Sequence, residues 1–191
     1  DRKDLTFIYP VARGCAPIFV TILSFIFLKD IIPFFGLVGI LIICVALLLI
    51  SFSSFNTKID FKTIGISIFI AFLISIYTFS DGAGVRSVEN SLSFIVWNFF
   101  LGGWISIGYV YLTKREDLFS LRIKDLILIL SATIVSFTAY AIIIWSMKYE
   151  PFGIVASMRE SSIIFAPLLR LIFLKEKISP IRIISSILFF L

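Results

Sequence analysis

Phe34-Phe35-Gly36-Leu37-Val38-Gly39-Ile40-Leu41-Ile42-Ile43-Cys44-Val45-Ala46-Leu47-Leu48-Leu49-Ile50-Ser51-Phe52 contains no charged side chain. A helix that crosses a bilayer needs ~20 consecutive, mostly apolar residues, and this run approaches that length. Its Ile, Val and Phe content favours strands in water. Inside lipid that preference loses, because every backbone amide must be satisfied within its own segment or in a closed barrel. Barrel strands need ~10 residues of alternating polarity, and no alternation is present here. The run therefore reads as a membrane-spanning helix.

Working outward, similar apolar runs are predicted at 7–28, 34–52, 63–80, 91–113, 126–147 and 151–174, with a shorter one at 178–191. Of the 191 residues 60% are hydrophobic and 15% charged, and the mean hydropathy is +1.10. A soluble domain carries about 25% charged residues. One of this size keeps too much surface exposed to hide so much apolar area. The expected fold class is all-α, a polytopic membrane helix bundle of about seven helices embedded in a lipid bilayer. The chain starts at Asp1, and its last apolar stretch, 183–191, reaches only ~14 Å as a helix. Against a hydrocarbon core of about 30 Å, that length predicts a piece of a longer protein.

Several function classes lose support at this level. The chain has no histidine, and its two cysteines, Cys15 and Cys44, both sit inside apolar runs. Metal and haem sites lean on those ligands, so no metal and no cofactor is expected. The net charge of +5 comes without a basic stripe interleaved with aromatics, so no nucleic-acid partner is expected. Membrane-embedded transferases want a His, a metal or dense carboxylates. None is evident, and the chain reads as a non-enzyme.

Two copies of one pattern lie 146 positions apart. Val11-Ala12-Arg13-Gly14-Cys15-Ala16 lies over Ser157-Met158-Arg159-Glu160-Ser161-Ser162, and Phe27-Leu28-Lys29-Asp30 over Phe173-Leu174-Lys175-Glu176. Each copy places an arginine deep in a helix and continues to a proline, Pro33 or Pro180, and a further apolar run. The two helices are five segments apart, so they are expected to cross in opposite directions. Inverted repeats are a recurrent transporter design, with the substrate near the midplane.

These residues carry a resemblance. Tyr9-Pro10-Val11-Ala12-Arg13-Gly14-Cys15-Ala16-Pro17, then Leu28-Lys29-Asp30, is similar to the fourth helix of an EamA-like repeat, and 36–49 to the fifth. The stretch Arg159-Glu160-Ser161-Ser162-Ile163-Ile164-Phe165-Ala166 with Phe173-Leu174-Lys175-Glu176-Lys177 resembles the matching helix of a second repeat. The resemblance implies the drug/metabolite transporter superfamily, with two inverted five-helix repeats making ten helices. This chain would then hold the last two helices of repeat one (1–55), a linker (56–62) and repeat two truncated in its last helix (63–191). One departure is that Lys29-Asp30 and Lys175-Glu176 stand where the family usually has Gly-Glu. The expected location is multi-pass, in a bacterial inner membrane. Sidedness has two readings. Eleven Lys and Arg residues fall on one set of connections and three (Lys29, Arg86, Lys148) on the other. The positive-inside rule puts the richer set in the cytoplasm, whereas the family's usual cytoplasmic termini put it outside.

The expected activity is secondary transport of a small organic metabolite (amino-acid-like, another metabolite or a drug) by alternating access, with a proton or ion as a candidate coupling partner. The alternatives are a channel or a structural membrane subunit, with a membrane-embedded transferase behind them. Candidate substrate-binding residues are Arg13, Arg159, Glu160, Asn98, Tyr140, Tyr77 and Trp97. An ionisable group in mid-helix costs ~2.5–3.5 kcal/mol on insertion scales and usually faces a cavity; snorkelling to the interface is the plain alternative. Adjacent on a helix, Arg159 and Glu160 point about 100° apart and are expected to pair poorly with each other. Tyr77 and Asp81 are four apart and share a face, but Gly82 and Gly84 predict a helix end there. Asn98, Gly102 and Ser106 recur every four residues, a spacing suited to close helix contact. Trp97, Trp104, Tyr140 and Trp145 could line a pocket or anchor helices at the interface.

Overall fold

The structure is a computed structural model that describes residues 2–53, 61–113, 123–160 and 162. Among the described residues there are six α-helices and no strand. They are α1 (Arg2–Leu28), α2 (Phe34–Ser53), α3 (Phe61–Arg86), α4 (Ser91–Thr113), α5 (Ile123–Met147) and α6 (Phe152–Glu160). Four stretches are long and apolar enough to cross a membrane: Ile8–Leu28, Phe61–Arg86, Ser91–Thr113 and Ile123–Met147. The expected helices beyond 162 lie outside the described residues.

The surface explains the composition. Phe61, Ile31, Phe35, Ile105 and Leu112 all point outward. Small and hydroxylated side chains point inward instead: Ala12, Ala16, Ser24, Ala46, Ser67, Ala71 and Ser75 are fully or almost fully buried. That distribution suits hydrocarbon, where packing and not water exclusion holds helices together. The buried hydroxyls are satisfied within their own helices, Ser67 donating to Thr63 O (2.8 Å) and Ser75 to Phe72 O (2.7 Å).

The helices fall into two units. One gathers α1, α2, most of α3 and α6; the other gathers the end of α3 with α4 and α5. In the first unit α1 runs unbroken through Pro10 and Pro17. Gly14 lets α1 approach α2 so closely that a Cβ there would meet Leu47 Cβ at 3.2 Å. Helix α6 runs antiparallel to α1: Arg13 meets Glu160 at one end, and Thr21 meets Gly153 at the other. Phe152 anchors the start of α6, fully buried and edge-on to Phe79. The Phe152 N–H donates to the Asp30 carboxylate (3.3 Å), a negative charge at the helix N-terminus where the dipole favours one. Lys29, which ends α1, has φ of 54°. That left-handed conformation suits glycine, and it falls where the resemblance expects one.

In the second unit, Asn90 caps α4 by accepting from the Leu92 and Ser93 amides (3.0 and 3.3 Å). Arg86 Nε donates to Met147 O (2.8 Å), and Lys148 Nζ to the Val88 and Glu89 carbonyls (2.9 and 2.6 Å). These bonds tie the α3–α4 turn to the end of α5. The expected end of α3 near residue 80 is corrected: the helix continues through Gly82 and Gly84 to Arg86. Gly84 lies against the Phe94 ring, so it serves as a place of close approach and not as a terminator.

Two stability outcomes follow, both read as thermal unfolding of the purified full-length protein. Lys29→Gly relieves a left-handed non-glycine residue and is expected to stabilise by about 0.5–1 kcal/mol. Gly153→Ala drives a methyl into Thr21 and Ile32, and is expected to cost ~1–3 kcal/mol.

Candidate functional site

In the first unit, the two repeat-related arginines converge on one carboxylate. Glu160 is fully buried. Its Oε1 accepts from Arg159 Nε at 3.1 Å, and its Oε2 lies 3.4 Å from Arg13 Nε. Among the described residues Oε2 has no hydrogen bond, so Arg13 contributes charge there more than a directed bond. The expectation that Arg159 and Glu160 pair poorly is corrected: they form an ion pair. Helical spacing separates the Cβ vectors by about 100° but does not limit a guanidinium on a long, flexible stem. With water excluded from around Glu160, the nearest cations take its charge.

The remaining contacts set the exposure of each arginine. Arg159 Nη1 donates to Thr78 Oγ1 (3.3 Å), and its guanidinium lies 6.0 Å from the Tyr77 ring centre. Its side chain is 8% exposed, whereas that of Arg13 is 26% exposed and lies 5.0 Å from the Tyr9 ring centre. Among the described residues two cations thus lie around this one anion, and Arg13 is the more open of the two. Thr78 and Tyr9 escaped the sequence reading. Thr78 looks like an ordinary helix residue there, and Tyr9 sits one turn before Arg13, the one signal available.

In the second unit, a pocket of about 960 Å³ is lined by Asp81, Asn98, Phe99, Gly102, Gly103, Ser106, Ile129, Ala132, Thr133, Ile134, Ser136, Phe137 and Tyr140. Asp81 receives two hydrogen bonds, from Tyr140 Oη to Oδ2 (2.6 Å) and from Asn98 Nδ2 to Oδ1 (3.1 Å). Phe99 packs edge-on against Phe137 (4.8 Å) and Tyr140 (5.6 Å). Gly102 and Ser106, expected to serve helix contact, line this pocket together with Asn98, a candidate substrate-binding residue. Trp97 stands apart from both groups, 60% exposed and edge-on to Phe100 (5.6 Å). Tyr77 and Asp81, placed on one face by their spacing, have separate partners. Asp81 is the pocket's acid, and its role was obscured by the glycines that follow it.

An all-helical, membrane-spanning chain with charged groups gathered on its inward faces is an integral membrane protein of transporter type. The chain belongs to the EamA-like transporter family, whose model matches residues 61–191. No curated protein and no solved structure matches it. Among the described residues no group of His, Cys, Asp and Glu is arranged to hold a metal ion.

Removing the shared acid takes the counter-charge from both arginines, and that of Arg159 is almost fully buried. Glu160→Ala is expected to cost ~3–5 kcal/mol, measured by chemical unfolding in detergent. Arg13→Ala, at the more exposed partner, should cost clearly less than Arg159→Ala.

Proposed function

We propose that this protein is a secondary carrier that moves a small organic metabolite by alternating access, without a covalent step. Arg13 and Arg159 hold an anionic or zwitterionic group, and Glu160 balances and gates that charge. Asn98 and Tyr140 are candidate substrate contacts within the second unit's own pocket, and within the first unit Tyr77 packs beside Arg159. One observation carries this reading: two arginines from antiparallel apolar helices meet on one buried carboxylate. An inverted pair of repeats requires the antiparallel course of α1 and α6, and the division into 1–55, 56–62 and 63–191 belongs to the same proposal. A bacterial inner membrane is the proposed location.

The test is flux into vesicles holding the full-length protein. Uptake of candidate amino acids and related metabolites should saturate and show counter-transport; flux that never saturates would favour a channel. Arg13→Ala and Arg159→Ala should each reduce uptake roughly ten- to a hundredfold, the effect of losing a charge-assisted contact of ~1.5–3 kcal/mol. Normal transport by both variants would overturn the site assignment.

A further inference from the structure

Asp81 and Glu160 are both acids within apolar helices, but their charges are met differently. Glu160 has two guanidinia. Asp81 has two neutral donors, the Tyr140 hydroxyl and the Asn98 amide. Among the described residues no Lys or Arg forms an ion pair with Asp81, and none lines its pocket. Arg86, five residues further along α3, points about 140° away around the helix and donates to the Met147 carbonyl. Lys148 donates to carbonyls of the α3–α4 turn. The carboxylate is thus oriented by hydrogen bonds and left without a cation.

We infer that the pocket binds a protonated amine, with Asp81 as its counter-charge. Two neutral donors fix the carboxylate in place but leave each oxygen with remaining acceptor capacity. An incoming ammonium supplies the missing positive charge in a medium of low dielectric, where a charge-assisted hydrogen bond is strong. Phe99, Phe137 and Tyr140 line the same pocket as the acid, Phe99 edge-on to each of the other two rings, and offer aromatic faces that attract the same cation. The volume of about 960 Å³ admits a metabolite-sized molecule and not an ammonium ion alone. This assignment deepens the carrier reading and rests on it for transport, but the binding step can be tested without it.

The full-length protein in lipid nanodiscs is titrated calorimetrically with methylammonium, phenethylammonium and tetraethylammonium, and with 2-phenylethanol as the neutral counterpart of phenethylammonium. Phenethylammonium should bind at least about tenfold more tightly than the alcohol, the effect of one ~1.4 kcal/mol charge contact. Asp81→Asn should abolish that preference. Ser136→Lys, at an exposed lining position one turn from Tyr140, keeps Asp81 but supplies a tethered ammonium, and should abolish it too. This second variant separates loss of the site from loss of the fold. Equal binding of amine and alcohol, no saturable binding of any of the three amines, or an unchanged preference in Asp81→Asn overturns the inference. Vesicle flux of the bound amine separates the two proposals. Binding without flux removes the carrier and leaves the site. Saturable flux insensitive to Asp81→Asn removes the site and leaves the carrier.

Discussion

One carboxylate surrounded by hydrocarbon cannot stand alone, and in this protein Glu160 is held between two guanidinia. Burial of either sign without the other costs several kcal/mol, so the three side chains constrain where their helices can lie. Arg13 and Glu160 belong to α1 and α6, which are far apart in sequence, and their contact fixes the register of one helix against the other. The antiparallel course of the pair follows from that register together with the approach of Thr21 to Gly153.

Such approach depends on what is missing from the helix faces. Gly14 admits Leu47, Gly153 admits Thr21, and Ala12 and Ala16 are fully buried where larger side chains would hold the helices apart. Bulk is placed outward, toward lipid, where it costs nothing because tails are as apolar as the side chains. The ends of the helices obey the same economy of contacts. Lys29 adopts a left-handed turn so that Asp30 can reach the amide of Phe152 and begin α6. The acid that follows the lysine thereby links the end of one repeat-like helix to the start of the other.

The two units handle intramembrane charge in different ways. Around Glu160, among the described residues, two cations meet one anion, and Arg13 is the more exposed of them. Around Asp81 the anion is held by neutral donors in a pocket open enough for a small molecule. Such differences matter because function resides in the site and not in the fold.

The spans were legible in the sequence because their cause is local. A charge-free run such as 91–113 has one stable state in lipid, and no distant residue is needed to recognise it. The repeated arginines were legible for the same reason, since each is expensive wherever its helix goes. Partners were another matter. Spacing along one helix fixes the direction of a Cβ and not the destination of a long side chain, so the Arg159–Glu160 pair, the turn of Trp97 to the outer face and the course of α3 past two glycines were decided by tertiary packing. Asp81 could be recognised as an acid at a helix segment's edge, but its meeting with Asn98 and Tyr140 required α3, α4 and α5 to pack. Chain order determined which segments enter the bilayer; only the approach of remote helices determined which charges meet there.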